Sequence, residues 1–371
     1  MNPVKLEAIH RFPVKGFPSQ SLKQARLELG KGIPGDRRYA ITNGTVSNGE
    51  WMLARSYFIN AYNDGLQKFD VCENTNDGSL TLKNPDGHEM NLLPENPQSL
   101  ELANLQLERF LNHVTVKPDA PAPQVIERKQ AESNWDYPGT ELSIINAQSV
   151  QAIGTALDRE LDPVRFRGNL IIRDLPAWEE FDLLGKRLRI GEAEIEVMFP
   201  IVRCPAPGVN PATGERDIDF AETFPAHFGH AYCGMYAKVV SAGKIVPEDR
   251  IEIVGDAEMP LSEAQAEADP YPLWPRMMEI EDYTVDIMTT RLTLKNTSPW
   301  PLPKAEPGQR LKLHIGSGRW TREYIKEASS EQYHLEIEDS KTGDPMTQIL
   351  REGLANGERI VVTGPFGQPR S

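Results

Sequence analysis

The residues best suited to chemistry lie between Asp162 and Asp249. DPVRFRGNLII packs Arg165, Arg167 and Asn169 into five positions at the start of an apolar strand. The strand EIEVMFPIVRC then ends on Arg203 and Cys204 and opens into the Pro/Gly-rich turn PAPGVNPATGERD. A cysteine at a strand end, beside an arginine, is partly exposed and near positive charge. That setting favours the thiolate, which attacks electrophiles or binds soft metals. Guanidinium groups grip phosphate in a bidentate fork. Together these features suggest a phosphate-bearing cofactor held near a thiolate. The same residue types also fit a core cysteine flanked by arginines in surface ion pairs.

Two other patterns invite a functional reading. His227, His230 and Cys233 stand at three-residue spacings, and Cys204 could complete a four-ligand zinc set. FGHAYCGMYA is strand-like, however, so alternation predicts His230 and Cys233 on opposite faces. Gly30, Gly32 and Gly35 spell G-x-G-x-x-G, but Pro34 interrupts the loop and DRRYAIT, which follows, alternates like a strand. A dinucleotide fingerprint needs a helix there, so the sequence predicts a strand-to-strand connection. Cys72, in KFDVCENTNDG, reads as a core residue.

These residues must be positioned by a chain of 371 residues, room for two or three domains of about 150 residues each. The formal charge is −14, whereas a nucleic-acid protein usually carries a basic face, so no nucleic-acid partner is expected. Three cysteines cannot build a disulfide framework. The N-terminus lacks a signal-peptide apolar region, and no run approaches the roughly 20 apolar residues of a spanning helix. These readings predict a cytoplasmic protein without a membrane partner.

Thirty prolines and 28 glycines cut the chain into short alternating segments such as LKQARLEL (22–29), KRLRIGEAEIEVMF (186–199) and RIEIVG (250–255). Helical spacing is clearest over 143–158 and 346–355. The expectation is a mainly β chain with a few helices and no βαβαβ rhythm. Between Asp256 and Asp286, nine acidic residues stand against one basic residue, the composition of a linker. The predicted organisation is an N-terminal β-barrel over 1–130, a second β-barrel domain over 131–256, a linker over 257–283 and a C-terminal β-barrel over 284–371.

RFRGN (165–169), WEEFD (178–182), RCPAPGVNPATGERD (203–217), FGHAYCGMYA (228–237) and IVPEDRIEI (245–253), in that order, resemble the MOSC domain family. Upstream, Pro13-Val14-Lys15 and Gly35-Asp36-Arg37 are similar to motifs of the β-barrel that precedes many MOSC domains. The likeness is strongest to amidoxime reducing components, which bind a molybdenum cofactor through a cysteine and reduce N-hydroxylated or N-oxygenated compounds. The resemblance implies Cys204 as the metal ligand. It implies Lys15, Arg37, Ser143, Asn146, Arg165, Arg167, Asn169 and Arg203 as cofactor contacts. Asp217 and His230 are candidate proton donors, and a separate protein is the expected electron donor. Two departures stand out: Gly168 where the family usually has proline, and Pro-Ala-Pro after Cys204 where relatives often carry threonine. A cofactor carrier or sulfur-transfer protein without redox turnover of its own is the alternative.

Residues 284–371 are similar to the flavin-binding barrel of ferredoxin reductases, in truncated form. Arg322 and Tyr324 match its R-x-Y-[ST] motif, which implies FAD, but Ile325 replaces the hydroxyl residue. Thr347 stands at the flavin-phosphate position, with Asp344 and Pro345 where glycines are usual. A barrel that only docks an electron donor is the other reading.

Overall fold

The computed structural model describes residues 3–42, 61, 63, 65–74, 77–114, 122–128, 134–136, 139–228, 230–257, 275–286, 289–297, 302–314, 320–338 and 354–369. The first third contains β1 (Lys5–Arg11), β2 (Gln20–Leu22), β3 (Ala25–Leu27), β4 (Tyr39–Thr42), β5 (Asp70–Glu73), β6 (Leu80–Lys83), β7 (Glu89–Leu92), α1 (Pro97–Phe110) and β8 (Gln124–Glu127). The middle third contains β9 (Leu142–Asn146), α2 (Ala147–Ala156), β10 (Leu170–Arg173), β11 (Lys186–Ile190), β12 (Ala193–Val202), α3 (Phe220–Phe228), β13 (Tyr232–Ser241), β14 (Gly243–Ile245) and β15 (Ile251–Asp256). The last part holds β16 (Arg276–Val285), β17 (Thr289–Asn296), β18 (Arg310–His314), β19 (Trp320–Ala328), β20 (Gln332–Glu338) and β21 (Arg359–Phe366).

The fold is mainly β, as the alternating segments predict. An eight-stranded sheet runs β15-β11-β12-β13-β9-β10-β1-β2, and β16-β17-β20-β19-β18-β21 close into a barrel. The strand order adds something the sequence did not show. β1 pairs with β10 and with β2, so the N-terminal segment contributes two strands to the eight-stranded sheet of the middle third, and β3 pairs with β14 in a separate two-stranded sheet. It keeps a separate core of its own, built around Phe17, Phe69, Leu107 and Phe110.

Three local expectations need correction. Helical spacing over 143–158 becomes a strand and then a helix. β9 is buried along its whole length, and a short, fully buried apolar run cannot be told from a helix by periodicity. The helix begins only where the Asn146 side chain accepts the Gln148 N–H, an N-cap bond. The acidic stretch 257–283 does not stay a linker to its end, because Arg276–Val285 is the first barrel strand; Met278 and Ile280 point into the barrel core while Glu279 and Glu281 point away from it. Cys72 is exposed. It lies on β5, an outer strand of the β5-β6-β7 sheet. The 346–353 part of the second expected helix, with Thr347, and the adjoining Asp344 and Pro345 lie outside the described residues.

Candidate functional site

A cleft opens where β12 ends. Pro200 lies inside this strand, and the register against β13 shifts on both sides of it. Proline cannot donate to a ladder and is tolerated at such irregularities. The last ladder-like bond is from the Arg203 N–H to the Ala231 carbonyl, at 2.7 Å. The turn Ala206–Gly208 then carries the chain away. Cys204 is therefore left half-buried at the rim of the cleft.

Five cationic side chains line this cleft, Lys15, Arg37, Arg165, Arg167 and Arg203, with Asp136 as a carboxylate on the same wall. Each is fixed by the protein. Arg203 donates from Nε to the Cys233 carbonyl (2.6 Å) and from Nη1 to the Phe166 carbonyl (2.7 Å). Gly234 makes room for it: a Cβ there would lie 2.5 Å from the Ile144 carbonyl oxygen and 2.9 Å from Arg203 Nη2. Arg167 takes a left-handed conformation after the turn Pro163–Phe166. Its Nη2 donates to the Phe17 carbonyl at 2.8 Å, and its guanidinium lies 4.4 Å from the Phe12 ring centroid. Burial and then the charge of Arg37 push Arg167 down to about 9, against the pull of Asp36, Cys204 and Asp136. It remains charged at neutral pH, close enough to Cys204 to interact electrostatically.

Behind the wall, Asp36, Arg37 and Asn169 form a buried network. Arg37 pairs with Asp36, donates to Asn169 Oδ1 at 3.2 Å and to the Arg167 carbonyl at 3.0 Å, and packs on Trp135 at 3.8 Å. Asp36 accepts the Phe12 N–H at 2.8 Å and an Asn169 Nδ2 bond at 3.0 Å. Lys15 pairs with Asp136 at 2.7 Å. Trp135 and Asp136 were missed by sequence reasoning. The motif strings do not include them, and their signal was an aromatic-acidic pair in the charged loop near 117–140.

Lys15, Arg37, Ser143, Arg165, Arg167, Arg203 and Cys204 all lie on this wall. Four other candidates do not. Asn169 is fully buried and also donates to the His10 carbonyl. Asn146 caps α2 and donates to Glu180 at 3.0 Å. Asp217 receives a fork from Arg165, at 2.8 and 2.7 Å, and that hydrogen bonding holds its carboxyl below the usual range. It is an ion-pair partner, not a proton donor. His230 is buried against Trp178, Phe224 and Phe228, and burial lowers its pKa well below the usual value. It lies between α3 and His314 of the C-terminal barrel, away from the cleft wall. Gly168 is required by packing, since a Cβ would meet Ile145 Cγ1 at 2.3 Å.

Among the described residues no group of three or more His, Cys, Asp or Glu side chains is arranged to hold a metal ion, so the four zinc candidates do not converge. No described helix is long and apolar enough to cross a membrane. Arg322 and Tyr324 line a separate groove on the barrel with Arg310, Lys312 and Phe366. Ile325, between β-face alternations, is buried in the barrel core, so this position faces away from the groove.

Residues 137–252 match the family model of the MOSC domain, and this segment is a MOSC domain. It contains Cys204 and four of the wall's other candidates, Ser143, Arg165, Arg167 and Arg203. The chain is similar to the molybdenum cofactor sulfurase of Caenorhabditis elegans, 27% identical over 214 residues, which are 56% of this chain and 29% of that protein. The match thus spans less than a third of the nematode protein's length. Among solved structures, the YuaD protein of Bacillus subtilis aligns over 67% of this chain and 94% of its own, at 13% identity and a TM-score of 0.34. Phthalate dioxygenase reductase aligns over 25% of this chain and 30% of its own, at 15% identity and a TM-score of 0.24.

Proposed function

We propose that the cleft binds a molybdenum cofactor with Cys204 as the metal's protein ligand, and that the protein reduces N-hydroxylated or N-oxygenated compounds. The observation that carries this reading is the half-buried thiol at the rim of a cleft lined by five cations, in a chain of net charge −14. The donor set fits the group: a thiolate suits a soft metal, and a wall of five cationic side chains suits an anionic phosphate. The MOSC match and the similarity to a molybdenum cofactor sulfurase support the same cofactor.

When bound, the cofactor supplies a metal that cycles between two oxidation levels while an oxo group moves to or from the substrate. The chain's own residues bind and orient. Arg165 and Arg167 present charge to the phosphate end, and Asp217 fixes the Arg165 fork. Arg203 stays pinned to two carbonyls beside Cys204, holding the ligand's backbone in place. Trp135 and Phe12 cover the Arg37 guanidinium and limit water behind the wall. Reduction of a hydroxylamine consumes two electrons and two protons and gives an amine and water. The protons come from solvent in this scheme, because Asp217 and His230 lie off the wall. A separate protein, or FAD seated at Arg322 and Tyr324, supplies the electrons, and the setting is the cytoplasm.

The similarity to a sulfurase favours a second reading, in which the protein carries the cofactor or transfers sulfur through Cys204. Turnover separates them. A chemically reduced, cofactor-loaded sample is expected to convert a hydroxylamine to its amine over many cycles. Loaded protein that gives no amine would exclude the reductase reading and leave the carrier.

A further inference from the structure

Two histidines meet where the barrel packs on the MOSC domain. His230 stands just before β13 and His314 closes β18, with ring centroids 5.0 Å apart and an interplanar angle of 72°. Both are placed as neutral rings. His230 Nδ1 accepts the Tyr232 N–H at 3.1 Å, which requires that nitrogen to carry no proton. His314 Nε2 is 3.0 Å from Thr363 Oγ1, and its buried Nδ1 has no hydrogen-bond partner. A proton placed there would bury an unpaired charge, a costly arrangement.

The charged groups around the pair do not compensate such a proton. From the turn Glu179–Leu183, Asp182 and Glu179 pair with Arg359 of β21, while Glu180 accepts from Asn146 and Ser149. From β18, Lys312 adds positive charge that disfavours protonation of both rings. Cys233 of β13 is a buried thiol pushed up to about 12. On α3, His227 bonds the Thr223 carbonyl through Nδ1, and Arg276 of β16 adds a further buried cation on the barrel side. Among the described residues no carboxylate bonds either ring.

We propose that this neutral histidine pair is a proton-operated clamp, which holds the barrel against the MOSC domain at neutral pH and releases it on acidification while both parts stay folded. Released rings titrate near their ordinary value of about 6.5. In the clamp, burial holds His314 down at about 3, and His230 well below its usual value. The released state therefore binds more protons. Clamping is complete above about pH 6.5 and is lost as the pH falls below it. At pH 5 the ratio of released to clamped protein rises about 30-fold through His314 alone, and His230 shifts it further in the same direction.

Small-angle scattering of the full chain at pH 7.5 and 5.0 reads release as an increase in radius of gyration, with circular dichroism checking that both parts remain folded. The wild type is expected to expand reversibly at pH 5.0. The double variant His230→Phe/His314→Phe keeps ring volume, cannot take a proton there, and is expected to stay compact. A wild type that stays compact, or equal expansion of both proteins, would overturn the clamp. If the double variant does not fold, the Tyr232 amide of the wild type decides. Its exchange protection, corrected for the intrinsic rate, should fall by at least about 30-fold from pH 7.5 to 5.0, and unchanged protection would overturn the proposal.

Discussion

At the scale of single residues, the site depends on polar groups that the protein itself satisfies. Asp36 is almost fully buried and accepts from Phe12 N–H, Asn169 and Arg37. Asp36→Ala would leave a buried guanidinium without its carboxylate, so a loss of about 3–5 kcal/mol is expected in denaturant unfolding. Glu180 behaves oppositely. Burial raises its pKa despite bonds from Ser149 and Asn146, and its Oε1 has no partner. The folded state binds this proton more tightly than the unfolded state. Glu180's own contribution to stability is therefore full below about pH 4.5 and lost as the pH rises. Glu180→Gln keeps an acceptor for both donors, so its Tm should exceed the wild type's at pH 8, with the gap closing towards pH 4.5. This scale also shows where the sequence misled. Arg165, Arg167 and Asn169 share one five-residue motif, yet two reach the wall and one is spent on Ser143, His10 and Asp36. Residue type cannot say whether a polar group faces a ligand or a backbone.

At the scale of elements, the cleft exists because β12 stops where it does. Register shifts flanking Pro200 end regular pairing, and Gly234 on β13 lets Arg203 settle across the gap. Gly234 sits at φ 78°, left-handed territory that costs a side-chain residue roughly 1–2 kcal/mol, with overpacking adding about 1–3. Gly234→Ala should therefore lose about 2–5 kcal/mol of stability and hold molybdenum less well, read by chemical denaturation and metal content on one preparation. Short alternating segments made the β class legible. The β9–α2 junction was not, because Leu142–Asn146 is buried on both faces and only Asn146's side chain marks the change. The barrel's start at Arg276 was hidden for a related reason: Glu279, Glu281 and Asp282 are outward-facing strand residues whose charge reads as linker.

For the whole molecule, the telling contrast is between a chain of net charge −14 and a cleft wall rich in arginine. Long-range repulsion and local attraction oppose one another, and only the local term favours an anionic cofactor. Salt screens exposed charges over about 10 Å at 0.1 M. Release of the cofactor should therefore quicken as salt rises, and Arg167→Gln should release it faster than the wild type at every salt concentration, followed by pterin fluorescence. The most direct test of the account is molybdenum content by elemental analysis, comparing the wild type with Cys204→Ala, both produced in a host able to make the cofactor. The account predicts near-stoichiometric molybdenum with released pterin in the wild type, and loss of the metal in the variant with circular dichroism unchanged. Equal molybdenum in the two proteins, or a well-folded wild type with neither metal nor pterin, would contradict it.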